Sequence, residues 1–467
     1  MGIIDRVEEI RCMCQYKLWH DEPNFEKDET IPGDLRRCYE FLKLTSRSFA
    51  AVIMELTPEL RIAVMIFYLV LRGLDTIEDD MTISLEKKKP LLLDFYKFIE
   101  QPGWNFKESG PNEKDRQLLV EFEVVIAEYH NLKQGYRDVI SSIAKEMGSG
   151  MAKYATLAEE HDGYSVESLE DFDMYCHYVA GLVGEGLSRL FANSDLETKD
   201  LAKQPALSNS VGLFLQKTNI IRDYREDFED KRQFWPRAIW SKYTDDFGSF
   251  CEPGNVKALY CLSEIVANAL EHAPSAIEYL CQLQNQQVFN FVAIPQCMAI
   301  ATLAAVFKNP ETFQTNVKIR KGQAVTIIMY AMNIKAVCDI FLRYTREIHA
   351  KNTPDDPNFL RISIACGKVE QACETAFPTR FRDMYEQAVA TKMKAQKKGQ
   401  KAVLSKKQKE EHKEAMQYFA LSLVMGLIAI FTTLGVTLYF LGFDFTLNGV
   451  LSPSRIKNLF TSSSSSE

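Results

Sequence analysis

Residues 60–80 read LRIAVMIFYLVLRGLDTIEDD, and residues 211–229 read VGLFLQKTNIIRDYREDFE. In both, apolar residues recur at three- and four-residue spacing, as in a helix with one buried face, and both end in carboxylates. Asp75, Glu78 and Asp79 stand at i, i+3 and i+4, so three acids share one face. Asn219, Asp223 and Asp227, spaced four and four, do the same on the second helix. Clustered carboxylates repel, so water or a cation must meet them. For one such cluster, a solvated acidic helix end is a better explanation than a metal. Two of them, about 145 positions apart on long apolar helices, are hard to ascribe to solubility. Facing each other across a helical barrel, they would hold Mg²⁺, which takes oxygen ligands and bridges one or two carboxylates to substrate phosphates. Catalysis would then be electrophilic: a neutralised diphosphate departs and leaves an allylic cation in a dry, aromatic-walled cavity.

The same periodicity runs through 117–130, 136–161, 169–191 and 256–283, with few alternating strand-type runs. Glycine and proline together make up only about 8% of the 467 residues, against a usual total near 12%, so turns are few and elements long. The expected fold is all-α, one large helical domain over residues 31–390 after a short amino-terminal segment, 1–30. Eleven scattered cysteines without a C-x-x-C pair argue against a disulfide framework or a zinc site and for a reducing compartment. The amino terminus, MGIIDRVEEIRCMCQ, lacks the apolar core of a signal peptide.

A net charge of −8 argues against a nucleic-acid partner, but the average hides a segregation. Residues 391–414 carry nine lysines against three glutamates, which leaves the body before them at −14. Behind that collar, residues 415–443 hold no charge at all. The inner 23 of these reach about 34 Å as a helix, enough for a hydrocarbon core of about 30 Å. This stretch is read as a transmembrane helix. The lysines outweigh Arg455 and Lys457 on its far side, so the body faces the cytosol and residues 444–467 lie across the membrane.

With YCHYVAGLVGEGL between the two acidic stretches, SRSFAAVI ahead of them and QNQQVFNF with AIPQ behind, the chain closely resembles the squalene synthases (farnesyl-diphosphate farnesyltransferases) of the squalene/phytoene synthase family, over about residues 30–345. The resemblance implies a helical prenyl-synthase fold and a reaction in two steps. Two farnesyl diphosphates join head to head to presqualene diphosphate, and NADPH reduces that to squalene. It further implies a single-pass anchor in the endoplasmic reticulum membrane, as in the eukaryotic enzymes. A phytoene-synthase-like condensation without reduction and a non-catalytic tail-anchored scaffold are the rival readings. The sequence sets no oligomeric state, and a monomer is compatible with it.

The resemblance also carries roles to particular residues. Ser46, Arg47 and Phe49 offer a hydroxyl, a bidentate guanidinium and an aromatic wall to the substrate. Tyr68 and Arg72 share the helix of Asp75, at i−7 and i−3. Tyr175 matches the family's favoured acid or base for the proton lost on cyclopropane formation; a phenol is a poor base at neutral pH, so nearby cations or the departing diphosphate must help it. Gln216, Asn219 and Arg222 line one side of the cavity, and Phe289, Phe291 and Gln296 line the other. Gly181, Gly184 and Gly186 need a close approach, by a ligand or by a neighbouring helix, to offset about 1 kcal/mol each against alanine. Neither G-x-G-x-x-G nor a Walker A motif is present, so the phosphates of NADPH must be held by side chains. Lys318, Arg320 and Lys321 are the local basic cluster, with Arg47, Arg72, Lys114 and Arg222 as further candidates. Arg225 stands where leucine is frequent in the family, about 200° around the helix from Asp223 and off the metal face.

Overall fold

A computed structural model of the chain describes residues 3–19, 25, 28, 30–46, 49–160 and 164–379. The basic collar, the charge-free stretch 415–443 and Arg47 lie outside the described residues. Nearly everything described is helical. The first half comprises α1 (Ile3–Trp19), α2 (Gly33–Thr45), α3 (Phe49–Met54), α4 (Pro58–Asp79), α5 (Leu85–Phe98), α6 (Arg116–Val120), α7 (Phe122–Asn131) and α8 (Gln134–Glu160). The middle holds α9 (Leu169–Cys176), α10 (Leu182–Asn193), α11 (Pro205–Arg222), α12 (Tyr224–Glu229) and α13 (Arg237–Trp240). Then follow α14 (Val256–Leu270), α15 (Ala273–Gln282), α16 (Gln286–Val306), α17 (Lys321–Tyr330), α18 (Ile334–Lys351) and α19 (Phe359–Ala376). The eleven cysteines are all free thiols.

α4 begins with Pro58 in its first turn, where a missing N–H costs nothing. Its buried face then runs from Leu60 to Ile77, so the carboxylates come at its exposed end. α11 likewise starts on a proline, Pro205, and buries Val211, Leu213, Phe214, Ile220 and Ile221. The sequence reads as one helix from Val211 to Glu229, but the chain breaks at Asp223 (φ −93°, ψ 13°). Asp227 nevertheless stays one turn above, because its N–H donates to the Asp223 carbonyl at 2.9 Å. The expected helix 256–283 also divides, since Pro274 sits in the first turn of α15 and cannot continue α14.

Between α9 and α10 the residues His177–Gly181 form a π-helical turn, a widening that recurs at functional sites. The glycines that follow have a neighbouring helix as their reason. A Cβ on Gly184 would lie 2.4 Å from the Ser208 carbonyl oxygen, and one on Gly212 would lie 2.2 Å from that of Ala180. α10 and the π turn therefore pack backbone to backbone on α11.

α16 is long and apolar enough to cross a membrane, with a mean hydropathy of 1.7, and is the only such helix among the described residues. Most of it is buried inside the protein, so it is the central core helix. Asn285 caps it by accepting the N–H groups of Gln287 and Val288. Two short strands, β1 (Tyr164–Ser165) and β2 (Arg232–Gln233), pair in parallel, Tyr164 opposite Arg232. That pairing fixes the segment leaving α12.

Candidate active site

The acidic ends of α4 and of α11–α12 meet at one cavity. Asp75, Glu78 and Asp79 line it from one side, and Asn219, Asp223 and Asp227 from the other. Gln216, Tyr175, Val179, Phe234 and Arg232 complete its wall. Asp75, Gln216, Asn219 and Val179 also border a second, apolar cavity of about 230 Å³. Phe49, Phe67, Tyr68, Leu71, Val183, Leu187, Leu215, Phe291 and Gln296 enclose that cavity. A polar end thus opens directly onto a hydrocarbon-lined interior. On the outer side lies a larger recess of about 840 Å³, shared by Glu78, Asp79, Tyr154, Tyr175 and Arg232.

Burial works against the charges of the acidic groups. It pushes Glu78 up to about 8, helped by Asp79 and Asp75. Asp75 rises to about 7 through burial and the nearby Asp79 and Asp115, against the pull of Arg72. Burial, with Asp223, Glu226 and Asp230, takes Asp227 to about 7, and burial raises Asp79 as well. All donors are oxygens and the negative charge is incompletely compensated, the conditions in which Mg²⁺ binds. Among the described residues no three metal-ligating side chains converge on one point. Mg²⁺ needs no such cage, since it keeps waters and commonly uses one or two carboxylates plus phosphate oxygens.

A pH dependence follows. Each of these acids holds its proton more tightly folded than unfolded, so the folded state binds more protons and stability falls as pH rises through about 7 to 8. His272, which burial and Lys217 push down to about 3, acts oppositely, but only below its unfolded value of 6.5. In EDTA the unfolding temperature should therefore drop between about pH 7 and pH 8.5. Saturating Mg²⁺ should flatten that drop. A temperature that is constant or rising with pH in EDTA would refute the electrostatic reading.

Most of the remaining candidates stand at or beside these cavities. Arg72 lies 3.8 Å from Asp75 and 3.5 Å from the buried Asp115. The Tyr68 hydroxyl donates to the Thr45 carbonyl at 3.1 Å. Ser46 closes α2, and its Oγ accepts the Phe49 N–H at 3.1 Å. Arg222 clasps its neighbour Asp223, Nε to Oδ1 at 2.7 Å. Tyr175 is buried, stacked on Phe234 at 5.0 Å and edge-on to Tyr154 at 5.3 Å. Gln296 is buried, with Nε2 directed to the Val211 carbonyl. Phe291 packs on Phe191 in the apolar wall, whereas Phe289 is buried in the core away from it. Arg225 pairs with Glu229 at 2.7 Å and borders none of these cavities.

The basic candidates are dispersed. Lys114 is exposed on the turn before α6, and Lys318 is exposed ahead of α17. Arg320 is held by the Glu9 carboxylate of α1, Nε to Oε2 at 3.2 Å. None of these three borders the cavities described above.

Two cations escaped the sequence reading. Arg232 reaches both acidic faces, 3.3 Å from Asp79 and 3.3 Å from Asp227. Its only sequence signal is the charged run FEDKR, which does not say where the arginine turns. Lys217 is wholly buried on α11. It pairs with Asp173 at 2.5 Å and donates to Asn268 Oδ1 at 2.8 Å and His272 Nε2 at 2.9 Å. Asp173 precedes Tyr175 by two residues and Lys217 precedes Asn219 by two. This clamp, buried at its lysine end, therefore ties the helix carrying the phenol to the helix carrying the second acidic face.

Comparison with known proteins agrees with this architecture. Residues 42–323 match the model of the squalene/phytoene synthase family. The squalene synthase of Schizosaccharomyces pombe is 65% identical over 443 residues, covering 94% of this chain and 96% of that protein. A probable squalene synthase of Neurospora crassa is 53% identical, covering 80% of this chain and 78% of that one. A solved complex of TcSQS with the ligand E5700 superposes with a TM-score of 0.71 at 44% identity, over 74% of this chain and 99% of that one. The matched segment spans every residue of both acidic faces, and the identity to the fission-yeast protein runs almost end to end, so the chain belongs to the squalene/phytoene synthase family.

Proposed function

We propose that this protein is a squalene-forming farnesyl-diphosphate farnesyltransferase: it joins two farnesyl diphosphates to presqualene diphosphate and reduces that to squalene. The observation that carries the reading is the shared wall. Asp75, Gln216 and Asn219 border both the acid-lined cavity and the apolar one, so a diphosphate at the first puts its isoprenoid chain into the second. The names of the relatives at 65% and 53% identity support the same activity.

Bound between the two acidic faces, Mg²⁺ would supply the positive charge that makes diphosphate a leaving group. The chain's own part is to hold and to shield. Asp75, Glu78 and Asp79 on one side, and Asn219, Asp223 and Asp227 on the other, are the residues placed to hold the metal. Arg72 stands beside Asp75 to meet phosphate oxygens. Phe67, Leu71, Val183, Leu187, Leu215 and Phe291 exclude water from the hydrocarbon and from the cation that ionisation leaves. Tyr175 faces the acid-lined cavity, where its oxygen, ionised to the phenolate, can take up the proton lost as the cyclopropane closes. Residues 415–443 would anchor this body to the endoplasmic reticulum membrane.

NADPH would supply the hydride of the second step. The exposed Lys318 and the half-exposed Arg320 form a basic face that suits its phosphates, with Arg320 exchanging Glu9 for phosphate. Arg320→Ala should slow squalene formation from presqualene diphosphate by roughly tenfold or more while the first condensation changes by less than about threefold. Equal loss in both steps would remove the cofactor role. The activity itself is tested by supplying the full-length protein with farnesyl diphosphate, Mg²⁺ and NADPH; a reaction without any thirty-carbon product would sink the proposal.

A further inference from the structure

The guanidinium of Arg232 lies across the mouth of the acid-lined cavity. One terminal nitrogen is 3.3 Å from Asp79 Oδ1, and the other is 3.3 Å from Asp227 Oδ1 and 3.1 Å from Asp230 Oδ2. Its central carbon is 5.8 Å from the Phe234 ring centre, and its buried Nε has no hydrogen-bond partner among the described residues. The backbone is arranged to put it there. Lys231 takes the left-handed conformation (φ 60°), which costs a non-glycine residue energy, and Arg232 is then fixed by its pairing opposite Tyr164. One monovalent cation thus links two carboxylate faces, at distances longer than the roughly 2.7–2.9 Å of a tight charged hydrogen bond. It is held, but loosely.

A divalent ion entering between Asp79 and Asp227 meets that positive charge. An incoming diphosphate offers the guanidinium a bidentate acceptor of higher charge. We propose that Arg232 couples metal binding to diphosphate binding, holding the two acidic faces as an internal counter-cation and passing to the phosphate oxygens when substrate arrives, which frees the carboxylates for metal. The inference rests on the diphosphate reading above and adds an order to it: metal alone binds weakly, and metal with diphosphate binds tightly.

Opposite effects on the two ligands distinguish this role from simple structural support. Mn²⁺ is the probe for metal, followed by ultrafiltration with the full-length protein; inorganic diphosphate at saturating Mg²⁺ is the probe for the anion. Arg232→Gln should bind Mn²⁺ alone about tenfold more tightly than the parent, and diphosphate about tenfold more weakly. Arg232→Lys keeps the charge without the fork, so its Mn²⁺ affinity should stay near the parental value while diphosphate affinity falls. Arg225→Gln, which removes the same charge from the outer face of α12, should resemble the parent in both. Arg232→Gln binding both ligands more weakly, or Mn²⁺ with unchanged affinity, would overturn the coupling while leaving the metal site standing. Failure of all forms to retain Mn²⁺, with or without diphosphate, would overturn the functional reading and this inference with it.

Discussion

Asp79→Asn should lower turnover of farnesyl diphosphate about a thousandfold while the protein stays folded, and Asp223→Asn should do the same from the opposite face. The substitution keeps the side chain's size and removes only its charge. Asp79 belongs to a set of acids that repel one another along the cavity wall, and desolvation there already disfavours its ionised form. Arg232 keeps Asp227 and Asp230 as partners when Asp79 is neutralised. Metal-free Asp79→Asn should therefore unfold at a temperature no lower than the parent. Loss of activity without loss of stability marks a residue kept for chemistry. Turnover near the parental rate in both variants would remove the metal assignment.

Tyr175→Phe comes second in expected effect, with condensation slowed by about a hundredfold, the lower end of the range for a lost general acid or base. Phenylalanine preserves the ring that stacks on Phe234 and meets Tyr154 edge-on, so the cavity wall should survive. The phenol also lies where the charge of Arg232 acts on it, which is the nearby cation that a phenolic base requires at neutral pH. Affinity for diphosphate with Mg²⁺ should stay within about twofold of the parent, because the hydroxyl is assigned to the proton and not to the metal. A rate loss under about tenfold would take the proton from Tyr175 and give it to another group.

The two acidic faces were legible because helical spacing is local: i, i+3 and i+4 share a side wherever the helix lies, and the apolar residues between them fix which side is buried. Gly184 was legible as a close approach, though the sequence left open what approaches; it is backbone, the Ser208 carbonyl of α11. Arg232 was not legible. It leaves α12 through a left-handed Lys231 and is placed by a two-residue strand whose partner lies 68 positions earlier, and no periodicity encodes that. Lys217 was hidden for a related reason. A lysine among apolar neighbours looks like a flaw in the pattern until Asp173, Asn268 and His272 arrive from α9, α14 and the turn before α15. α16 and residues 415–443 show the limit of composition: both are apolar enough to span a bilayer, and only packing shows that the first is core.

The most direct measurement counts diphosphate released per farnesyl diphosphate consumed by the full-length protein with Mg²⁺, first without NADPH and then with it. Without NADPH, one diphosphate should appear for each pair of farnesyl diphosphates, with presqualene diphosphate accumulating. Adding NADPH should release the second diphosphate together with squalene. Release of both diphosphates without NADPH, or no condensation in either condition, would contradict the assignment.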